Sequence, residues 1–433
     1  MKRRSFLKGT VAAGAATLLS PGLPGLTAGC AKFAGHTPSW NFDEVVDRSG
    51  TCSIKYRRAG GDRLAMWIAD MDFKTDPAVS AALRERIDRD VMGYTYAPDA
   101  YYDAIVGWLR TQHDYEVPRE WVTACPGVIA SINQAYLAFT DPGDKIIVQT
   151  PVYDPFFNYA KRLGRQVVEN PLICRDGRYE MDFEGLERCF DHRTKVLVLC
   201  NPHNPIGIVW GRETLSRLAE ICERHGVLVF SDEIHGDLAL FGHRQIPFCS
   251  VSPAAARIGL MFGSPTKSFN IAGLSGTAWC VIPDAAKRER YKEALSSRKL
   301  SEFSVMSMVA TMAAYTHEPL WLNDLKKYLE ANVTLLEERM AASPATRMIR
   351  VVRPEASFLV WLDCRALGLP QEKLMTFFND EAKIALNNGA SYGTGGEGFV
   401  RLNIGCPRII VEEAVHRIEH AVARWMNPGI MTE

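Results

Sequence analysis

The sequence predicts an α/β protein in which a three-layer domain with a mostly parallel sheet is followed by a smaller α+β domain. The first observation is a series of short apolar runs in the middle of the chain, typical of strands that are buried on both faces. The second is the helical spacing of apolar residues over Glu213 to Arg224, between two of those runs. Strands that alternate with helices favour a parallel sheet covered by helices. The apolar runs are Lys145 to Val148, Lys195 to Leu199, Val227 to Phe230, Leu260 to Phe262 and Ala278 to Ile282.

The last third of the chain has a different pattern, which predicts a second domain. Apolar spacing predicts a long amphipathic helix over Trp321 to Met340 and a closing helix over Val411 to Trp425. Separate strands are predicted at Phe358 to Leu362 and at Phe399 to Ile404. The expected domains are a large one over residues 90–300 and a small one composed of residues 31–89 and 301–433.

The composition is that of a globular protein that binds a small ligand. Of the 433 residues, 47% are hydrophobic and 23% are charged, which is an ordinary mix for a soluble domain. Lys plus Arg and Asp plus Glu both total 50, so the formal net charge is zero. This balance gives no electrostatic reason to expect nucleic acid as a partner. The cysteines include no CxxC pair, and we predict no zinc, redox or other metal site.

The N-terminus resembles an export signal of the twin-arginine type. Lys2 to Lys8 contains the arginine pair followed by Ser, Phe, Leu and Lys in the expected order, and an apolar stretch follows from Val11 to Leu19. That stretch is too short for a membrane anchor, and we expect residues 1–30 to be a signal peptide. Leu26 to Cys30 resembles a degenerate lipoprotein cleavage box. The mature protein is therefore expected either free in the periplasm or anchored through a lipid on Cys30.

Chemically useful side chains follow three successive strands of the predicted parallel sheet. Asn204 follows the run that ends at position 199, Asp232 the run that ends at 230, and Lys267 the run that ends at 262. Ligands of such folds bind at the carboxyl edge of the sheet. We therefore expect an amide, a carboxylate and an amine to meet at that edge.

The chemistry of these groups suits pyridoxal phosphate (PLP). An amine condenses with the PLP aldehyde, and the hydroxyls of Ser264 and Thr266 beside Lys267 are suited to donate to phosphate oxygens. A carboxylate at a buried strand end is costly unless it is paired. Paired with the pyridine nitrogen, Asp232 would keep PLP an effective electron sink. The amide of Asn204 is suited to hold the ring hydroxyl.

Each of these signals has an ordinary explanation when it is taken alone. A lysine among serines is usually solvated, Asp232 could be a helix N-cap, and the turn around Asn204 could be plain. A fourth signal is Gly127, which opens a predicted helix whose first N–H groups suit a phosphate. The combination, in order along three strands, predicts a PLP site.

Five ordered motifs make the sequence similar to a known family. It resembles the fold-type-I PLP enzymes of the class I/II aminotransferase superfamily, and most closely the MalY/PatB group of cystathionine β-lyases. The resemblance runs from about Asn41 to the C-terminus, and it implies the three-layer PLP-transferase fold. The motifs are Trp67 to Phe73, Asn201 to Pro205, Ser231 to His235, Ser264 to Leu274 and Gly395 to Ile404.

The resemblance also implies a role for individual residues. Lys267 would carry the cofactor as a Schiff base, Asp232 would face the pyridine nitrogen, and Arg401 would bind the substrate carboxylate through its planar fork. Tyr94 would reach the phosphate of a neighbouring subunit, which implies a homodimer with shared active sites. The other implied cofactor contacts are Tyr153 on the ring, Asn204 on the ring hydroxyl, His235, and Val128, Ile129, Ser264 and Thr266 at the phosphate.

Two departures favour a lyase over a transaminase. Ser275 stands where aminotransferases usually carry a phosphate-binding Arg, and His235 stands where they often carry Tyr. The implied reaction cleaves cystathionine or a related cysteine S-conjugate to a thiol, pyruvate and ammonia, with Lys267 as the general base at the α-carbon. Two alternatives stay open. One is an aminotransferase, which shares the proton abstraction, and the other is a non-catalytic ligand-binding or regulatory protein on the same scaffold.

Overall fold

Helices and strands alternate through the middle of the chain and give way to a second sheet near its end. The structure, a computed structural model, describes residues 40–301 and 304–426. The predicted signal peptide and its Cys30 lie outside the described residues. Among the residues described, none of the helices combines the length and the apolar character required to span a bilayer.

The elements of the described residues have the following bounds. The α-helices are α1 (Ile54–Ala59), α2 (Pro77–Ile87), α3 (Asp99–His113), α4 (Val128–Phe139), α5 (Pro155–Arg162), α6 (Phe183–Glu187), α7 (Arg212–Arg224), α8 (Pro253–Ile258), α9 (Ala285–Ser296), α10 (Val305–Thr316), α11 (Leu320–Ala342), α12 (Gln371–Thr376) and α13 (Arg408–Met426). The strands are β1 (Leu64–Ala65), β2 (Val122–Cys125), β3 (Lys145–Val148), β4 (Gln166–Glu169), β5 (Ile173–Arg175), β6 (Arg178–Glu180), β7 (Thr194–Cys200), β8 (Leu228–Asp232), β9 (Gly259–Gly263), β10 (Ala278–Val281), β11 (Arg350–Val352), β12 (Leu359–Asp363), β13 (Ile384–Ala385), β14 (Asn387–Asn388) and β15 (Phe399–Asn403).

A seven-stranded sheet forms the centre of residues 40–301. Its strand order is β2-β10-β9-β8-β7-β3-β4. Strands β4, β3, β7, β8 and β9 pair in parallel, whereas β10 runs antiparallel to both β9 and β2. The mostly parallel sheet of the predicted fold class is therefore confirmed.

The central strands are apolar throughout because both faces of the sheet are covered. Successive side chains of a strand point to opposite faces. In β7, Val196 and Val198 belong to one core cluster, and Leu197 and Leu199 belong to the other. Helix α4 packs into the first cluster, and α7 packs into the second. Helices on both faces produce the three layers.

Strand β8 is longer at its end than the sequence predicted. The predicted run stops at Phe230, but the ladder continues for two more residues, with Asp232 opposite Cys200 on β7 and opposite Phe262 on β9. The continuation is possible because β8 has a hydrogen-bonding neighbour on each side. Asp232 is thus the last residue of a central strand and not part of the loop after it.

A second sheet occupies the C-terminal third of the described chain. Within residues 304–426 its order is β11-β12-β15-β14, and all pairs are antiparallel. The N-terminal segment joins this region, because β1 pairs in parallel with β13 through Leu64 opposite Ile384. The long helix α11 and the closing helix α13 pack against each other. The proposed domain boundaries at 90 and 300 stay a prediction.

Candidate active site

The carboxyl ends of β7, β8 and β9 lie side by side and border one cavity. Its volume of about 650 Å³ is in the range of small-molecule sites. The structure thus brings together the amide, the carboxylate and the amine that follow these strands. The predicted site residues that line the cavity are Val128, Ile129, Tyr153, Asn204, Asp232, His235, Ser264, Thr266, Lys267 and Arg401.

Lys267 lies in the loop that follows β9, with its amine directed to the cavity wall. Its Nζ donates a hydrogen bond to the carbonyl oxygen of Ala69 over 2.7 Å. Burial, reinforced by the positive charge of Arg401, lowers the pKa of Lys267 to about 8. An amine in this range loses its proton readily near neutral pH, as a nucleophile or a general base must.

The loop that carries Lys267 is fixed by a buried polar network that the sequence analysis did not find. The hydroxyl of Ser268 donates to Asp237 over 2.7 Å, and Trp108 Nε1 donates to the same carboxylate over 2.8 Å. The ring nitrogen Nε2 of His113 lies 2.8 Å from Asp237 Oδ1. These partners come from distant parts of the chain, so spacing gives no signal for them.

Asp232 is buried at the end of β8 and faces the cavity without an ion-pair partner among the described residues. Its Oδ1 accepts a hydrogen bond from the N–H of Ile234 over 3.1 Å, which closes a turn and does not cap an α-helix. Burial raises the pKa of Asp232 to about 7. A carboxylate in such a place is costly unless a cationic group faces it. A protonated pyridine nitrogen fits this requirement.

Arg401 is a buried cation that also lacks a counter-ion among the described residues. It lies in the middle of β15 and is 2% exposed. Its Nη1 donates to Asn204 Oδ1 and its Nη2 to the carbonyl oxygen of Trp67, both over 2.9 Å. Its Nε has no hydrogen-bond partner within the described chain. Because the amide oxygen of Asn204 accepts the hydrogen bond from Arg401, the amide N–H groups of Asn204 remain to donate into the cavity.

One end of the cavity has the donors that a phosphate requires. Helix α4 begins there, and no side chain caps its first turn, so the N–H groups of Val128 and Ile129 are available to an anion. The hydroxyl of Ser264 lies 3.2 Å from that of Thr277 and accepts a hydrogen bond from the N–H of Thr266. Thr277 was missed by the sequence analysis, although it lies ten residues after Lys267 on the same connection.

Two neutral rings flank the charged groups. The N–H of Tyr153 donates to the carbonyl oxygen of Asn204 over 3.1 Å, and burial raises the pKa of the Tyr153 phenol to about 12. The ring nitrogen Nδ1 of His235 lies 3.1 Å from the hydroxyl oxygen of Ser357. Burial, together with the charges of Lys267 and Arg401, lowers the pKa of His235 to about 3. Both rings therefore stay uncharged at neutral pH.

The family model for aminotransferase class I and II matches residues 66–418. The chain belongs to the aminotransferase class I and II family. A second model, the twin-arginine translocation pathway signal sequence, matches residues 1–20, which confirms the predicted export signal.

Similar members of the class I and II family are carbon–sulfur lyases by name. Cystathionine β-lyase PatB of Bacillus subtilis is 41% identical over 88% of this chain and 100% of its own. Cystalysin of Treponema denticola, whose structure contains pyridoxal 5′-phosphate, is 29% identical with a TM-score of 0.86, over 89% of this chain and 99% of its own. The PLP-bound C–S lyase of Staphylococcus hominis is 30% identical with a TM-score of 0.83, with the same coverage.

In this class I and II aminotransferase-family chain, Tyr94 lies apart from the other predicted site residues. Its side chain is fully exposed and does not line the cavity. The neighbouring side chains of Val91, Met92 and Tyr96 are also exposed. A role of Tyr94 in the site of another subunit stays a prediction.

Several residues of the cavity come from segments that the strand-end reasoning did not cover. Arg58, Trp67 and Ala69 belong to the N-terminal segment, and Asn387 and Ser391 belong to the second sheet region. The motif Trp67 to Phe73 contains two of these residues, Trp67 and Ala69, and so indicated them in the sequence. Arg58 carried no signal, because an arginine at the end of a short helix is usually solvated.

Removing the charge of Asp232 should stabilise the ligand-free protein at alkaline pH. The folded-state pKa is about 7, whereas an unfolded carboxyl titrates near pH 4. Between about pH 4 and pH 7 the Asp232 carboxyl binds more protons in the folded protein than in the unfolded chain. Its contribution to the free energy of unfolding therefore falls as the pH rises to 7 and stays low at higher pH. We expect Asp232→Asn to raise the free energy of unfolding by about 4 kcal/mol at pH 8 and to change it little at pH 4.

Urea unfolding of the ligand-free wild type and variant at the two pH values measures this effect. The same comparison at pH 4 is the internal control for changes in packing. An equal gain at both pH values would contradict the prediction, because the gain would then not come from the charge.

Proposed function

We propose that the protein is a PLP-dependent carbon–sulfur β-lyase that cleaves cystathionine or a related cysteine S-conjugate to a thiol, pyruvate and ammonia. The observation that carries the proposal is the placement of Lys267, Asp232 and Arg401 around one cavity. The amine of Lys267, with its lowered pKa, matches the PLP aldehyde. The buried Asp232 carboxylate and Arg401 guanidinium have no ion-pair partner among the described residues, and they match a pyridinium and a substrate carboxylate. The lyase names of the similar proteins support the same reaction class.

The chain has a suitable group for every polar part of the cofactor. Lys267 would hold the aldehyde carbon, Asp232 the ring nitrogen, and the N–H groups of Asn204 the ring hydroxyl. The first turn of α4, Ser264 and Thr266 would hold the phosphate. Tyr153 and His235 would border the ring as neutral groups. When bound, PLP supplies an electron sink for the α-carbon of an attached amino acid.

Lys267 would remove the proton from the substrate α-carbon. Its pKa of about 8 leaves a usable fraction of neutral amine at neutral pH, which is the condition for a general base. The carbonyl oxygen of Ala69 accepts a hydrogen bond from Nζ and so orients the amine and stabilises the ammonium that forms. The network of Ser268 and Asp237 holds this loop in place.

Arg401 would orient the amino acid through its α-carboxylate. Its guanidinium is held by Asn204 and by the backbone of Trp67, so the plane of the fork is set before a ligand arrives. A prearranged fork loses little entropy on binding. The α-carbon is thereby presented to Lys267.

The products distinguish the proposal from its two alternatives. We expect the wild type to release pyruvate and a thiol from L-cystathionine with no added keto acid, measured with a lactate dehydrogenase assay and a thiol reagent. Lys267→Ala should lower the rate at least about 1000-fold, because it removes the general base. Lys292→Ala, at a partly exposed position on α9 outside the cavity, is the control and should keep the wild-type rate.

Other results would contradict the lyase proposal. Pyruvate that forms only when a keto acid is present would identify a transaminase. A purified protein that stays colourless with PLP and yields no product would identify a ligand-binding protein. Full activity in Lys267→Ala would remove the assigned role of this residue.

A conservative change of Arg401 tests the carboxylate fork. Arg401→Lys keeps a cation but removes the planar pair of N–H groups. We expect kcat/KM for a cysteine thioether to fall about 10- to 100-fold, the effect of losing a charge-assisted hydrogen bond, and the melting temperature to change little. Unchanged kcat/KM would place the substrate carboxylate elsewhere.

We also propose that the protein is exported by the twin-arginine route and acts in the periplasm or on a membrane. Replacing Arg3 and Arg4 by lysine should retain the protein in the cytoplasm, as measured by fractionation and immunoblotting. Cys30→Ala separates the two destinations: transfer from the membrane to the soluble fraction identifies a lipoprotein, and soluble protein in both forms identifies simple secretion. Export of the double-lysine variant at the wild-type level would contradict the route.

The exposed apolar segment around Tyr94 supports a homodimer with shared active sites. Side chains of this size are costly to leave in water together. Tyr94 of one subunit would add a hydroxyl to the phosphate end of the other site. This hydroxyl would complete the set of phosphate donors that α4 and Ser264 begin.

A further inference from the structure

Arg58 is a positively charged residue that lines the active-site cavity and has no role in the proposed reaction as described so far. The positively charged side chains that line the cavity are Arg58, Lys267 and Arg401. Lys267 is assigned to the cofactor and Arg401 to the substrate α-carboxylate. The guanidinium of Arg58 forms neither a hydrogen bond nor an ion pair with any residue that the structure describes, and the side chain is exposed at the mouth of the cavity. A guanidinium in this position is open to an anion.

The position of Arg58 is set by the indole of Trp67. The guanidinium carbon lies 5.7 Å from the centre of the Trp67 ring, within the range of a cation–π contact. The indole N–H donates to the carbonyl oxygen of Lys55 over 2.9 Å. Arg58 and Lys55 belong to the same helix, α1. The hydrogen bond to Lys55 fixes the Trp67 indole against helix α1, and the indole in turn positions the Arg58 guanidinium.

Helix α1 is itself tied to the inner part of the site. The ammonium of Lys55 is buried and donates to Asp72 Oδ2 over 2.7 Å and to the carbonyl oxygen of Asp70 over 2.8 Å. This anchoring makes the helix a rigid wall of the cavity. Arg58 is carried on that wall in the last turn of the helix.

Trp67 connects the two arginines of the cavity. Its backbone carbonyl oxygen accepts the hydrogen bond from Arg401 Nη2, and its ring carries Arg58. Arg401 is buried and Arg58 is exposed, so one lies deep in the cavity and the other near its mouth. A ligand with two separated carboxylates can bind Arg401 with one and Arg58 with the other.

The acidic groups of the cavity do not neutralise Arg58. Asp232 and Asp154 line the cavity. Asp232 is assigned to the pyridine nitrogen, and Asp154 accepts a hydrogen bond from Asn158 and is influenced by the charge of Arg401. Neither forms an ion pair with Arg58 within the described chain.

From this arrangement we propose that Arg58 forms a second anion subsite, which binds a carboxylate at the far end of the substrate's side chain. The inference rests on the proposed lyase function and narrows its substrate class to cysteine thioethers whose sulfur substituent ends in a carboxylate. The cation–π contact with Trp67 uses no N–H group of the guanidinium as a hydrogen-bond donor, so a carboxylate can make a bidentate contact. It also limits the side-chain freedom that Arg58 loses when the ligand binds.

Two matched substrates isolate the carboxylate. S-(2-carboxyethyl)-L-cysteine and S-propyl-L-cysteine share the α-carbon, the sulfur and a three-carbon substituent, and differ in the terminal charge. We expect Arg58→Met to raise KM for the carboxyethyl compound about tenfold and KM for the propyl compound less than about twofold. This is the lower end of the range for a charge-assisted hydrogen bond, because the site is open to water. Arg58→Lys should recover part of the loss.

Arg57→Met is the control variant. Arg57 occupies the same last turn of α1 and does not line the cavity, so its loss changes the local charge equally but not the subsite. We expect its KM values to match the wild type for both compounds. An equal loss in Arg57→Met would assign the effect to the overall charge and overturn the proposal.

Binding without turnover separates this proposal from the lyase function. In PLP-loaded protein that carries Lys267→Ala, calorimetry should show a dissociation constant for the carboxyethyl compound that Arg58→Met raises about tenfold, with no matching change for the propyl compound. This readout stands even if no C–S bond is cleaved. Equal weakening of both compounds, or no weakening of either, would overturn the subsite and leave the lyase proposal intact.

Discussion

The active site depends on one constraint: a carboxylate is held at the end of a strand that is hydrogen-bonded on both sides. The ladder continues past Asp232, because Asn201 N donates to the carbonyl oxygen of Asp232 over 2.9 Å and Glu233 N donates to that of Phe262 over 2.8 Å. The backbone at this point cannot turn away from the cavity without losing both bonds. Burial then raises the pKa of the side chain. The sheet thus keeps a poorly solvated acid facing the place where a cationic ring would lie.

The neighbouring acid shows why burial alone does not identify a functional group. Burial raises the pKa of Glu233 to about 7 as well. The Glu233 carboxylate, however, accepts hydrogen bonds from the Ser231 hydroxyl, from Gln245 Nε2 and from Phe248 N. The oxygens of Glu233 accept hydrogen bonds inside the protein, whereas within the described chain the Asp232 carboxylate accepts one, from the N–H of Ile234, and faces an open cavity. Unmet hydrogen-bonding capacity, and not the pKa shift, separates the site residue from its structural neighbour.

The sequence predicts those parts of the site that follow from local pattern. Parallel strands covered on both faces are uniformly apolar, so the strands before Asn204, Asp232 and Lys267 could be recognised, and their common edge followed from the fold class. Contacts between distant segments leave no such trace. The hydrogen bond from Arg401 to Trp67 joins residues 334 positions apart. Arg401 could be assigned only through family resemblance, and Arg58 could not be assigned at all.

The N-terminal segment explains how the cavity acquires its outer wall. Asp70 and Asp72 stand two residues apart, a spacing that could suggest a metal, yet both face cations of the chain itself. Arg48 bridges Asp70 and Asp72 at 3.3 and 3.2 Å, and Lys55 lies 2.7 Å from Asp72. Breaking a buried pair of this kind costs several kcal/mol, since it leaves a charge without a partner. These pairs fix the N-terminal segment internally before any ligand binds, and Trp67 holds Arg401 through its backbone carbonyl oxygen and Arg58 through its ring.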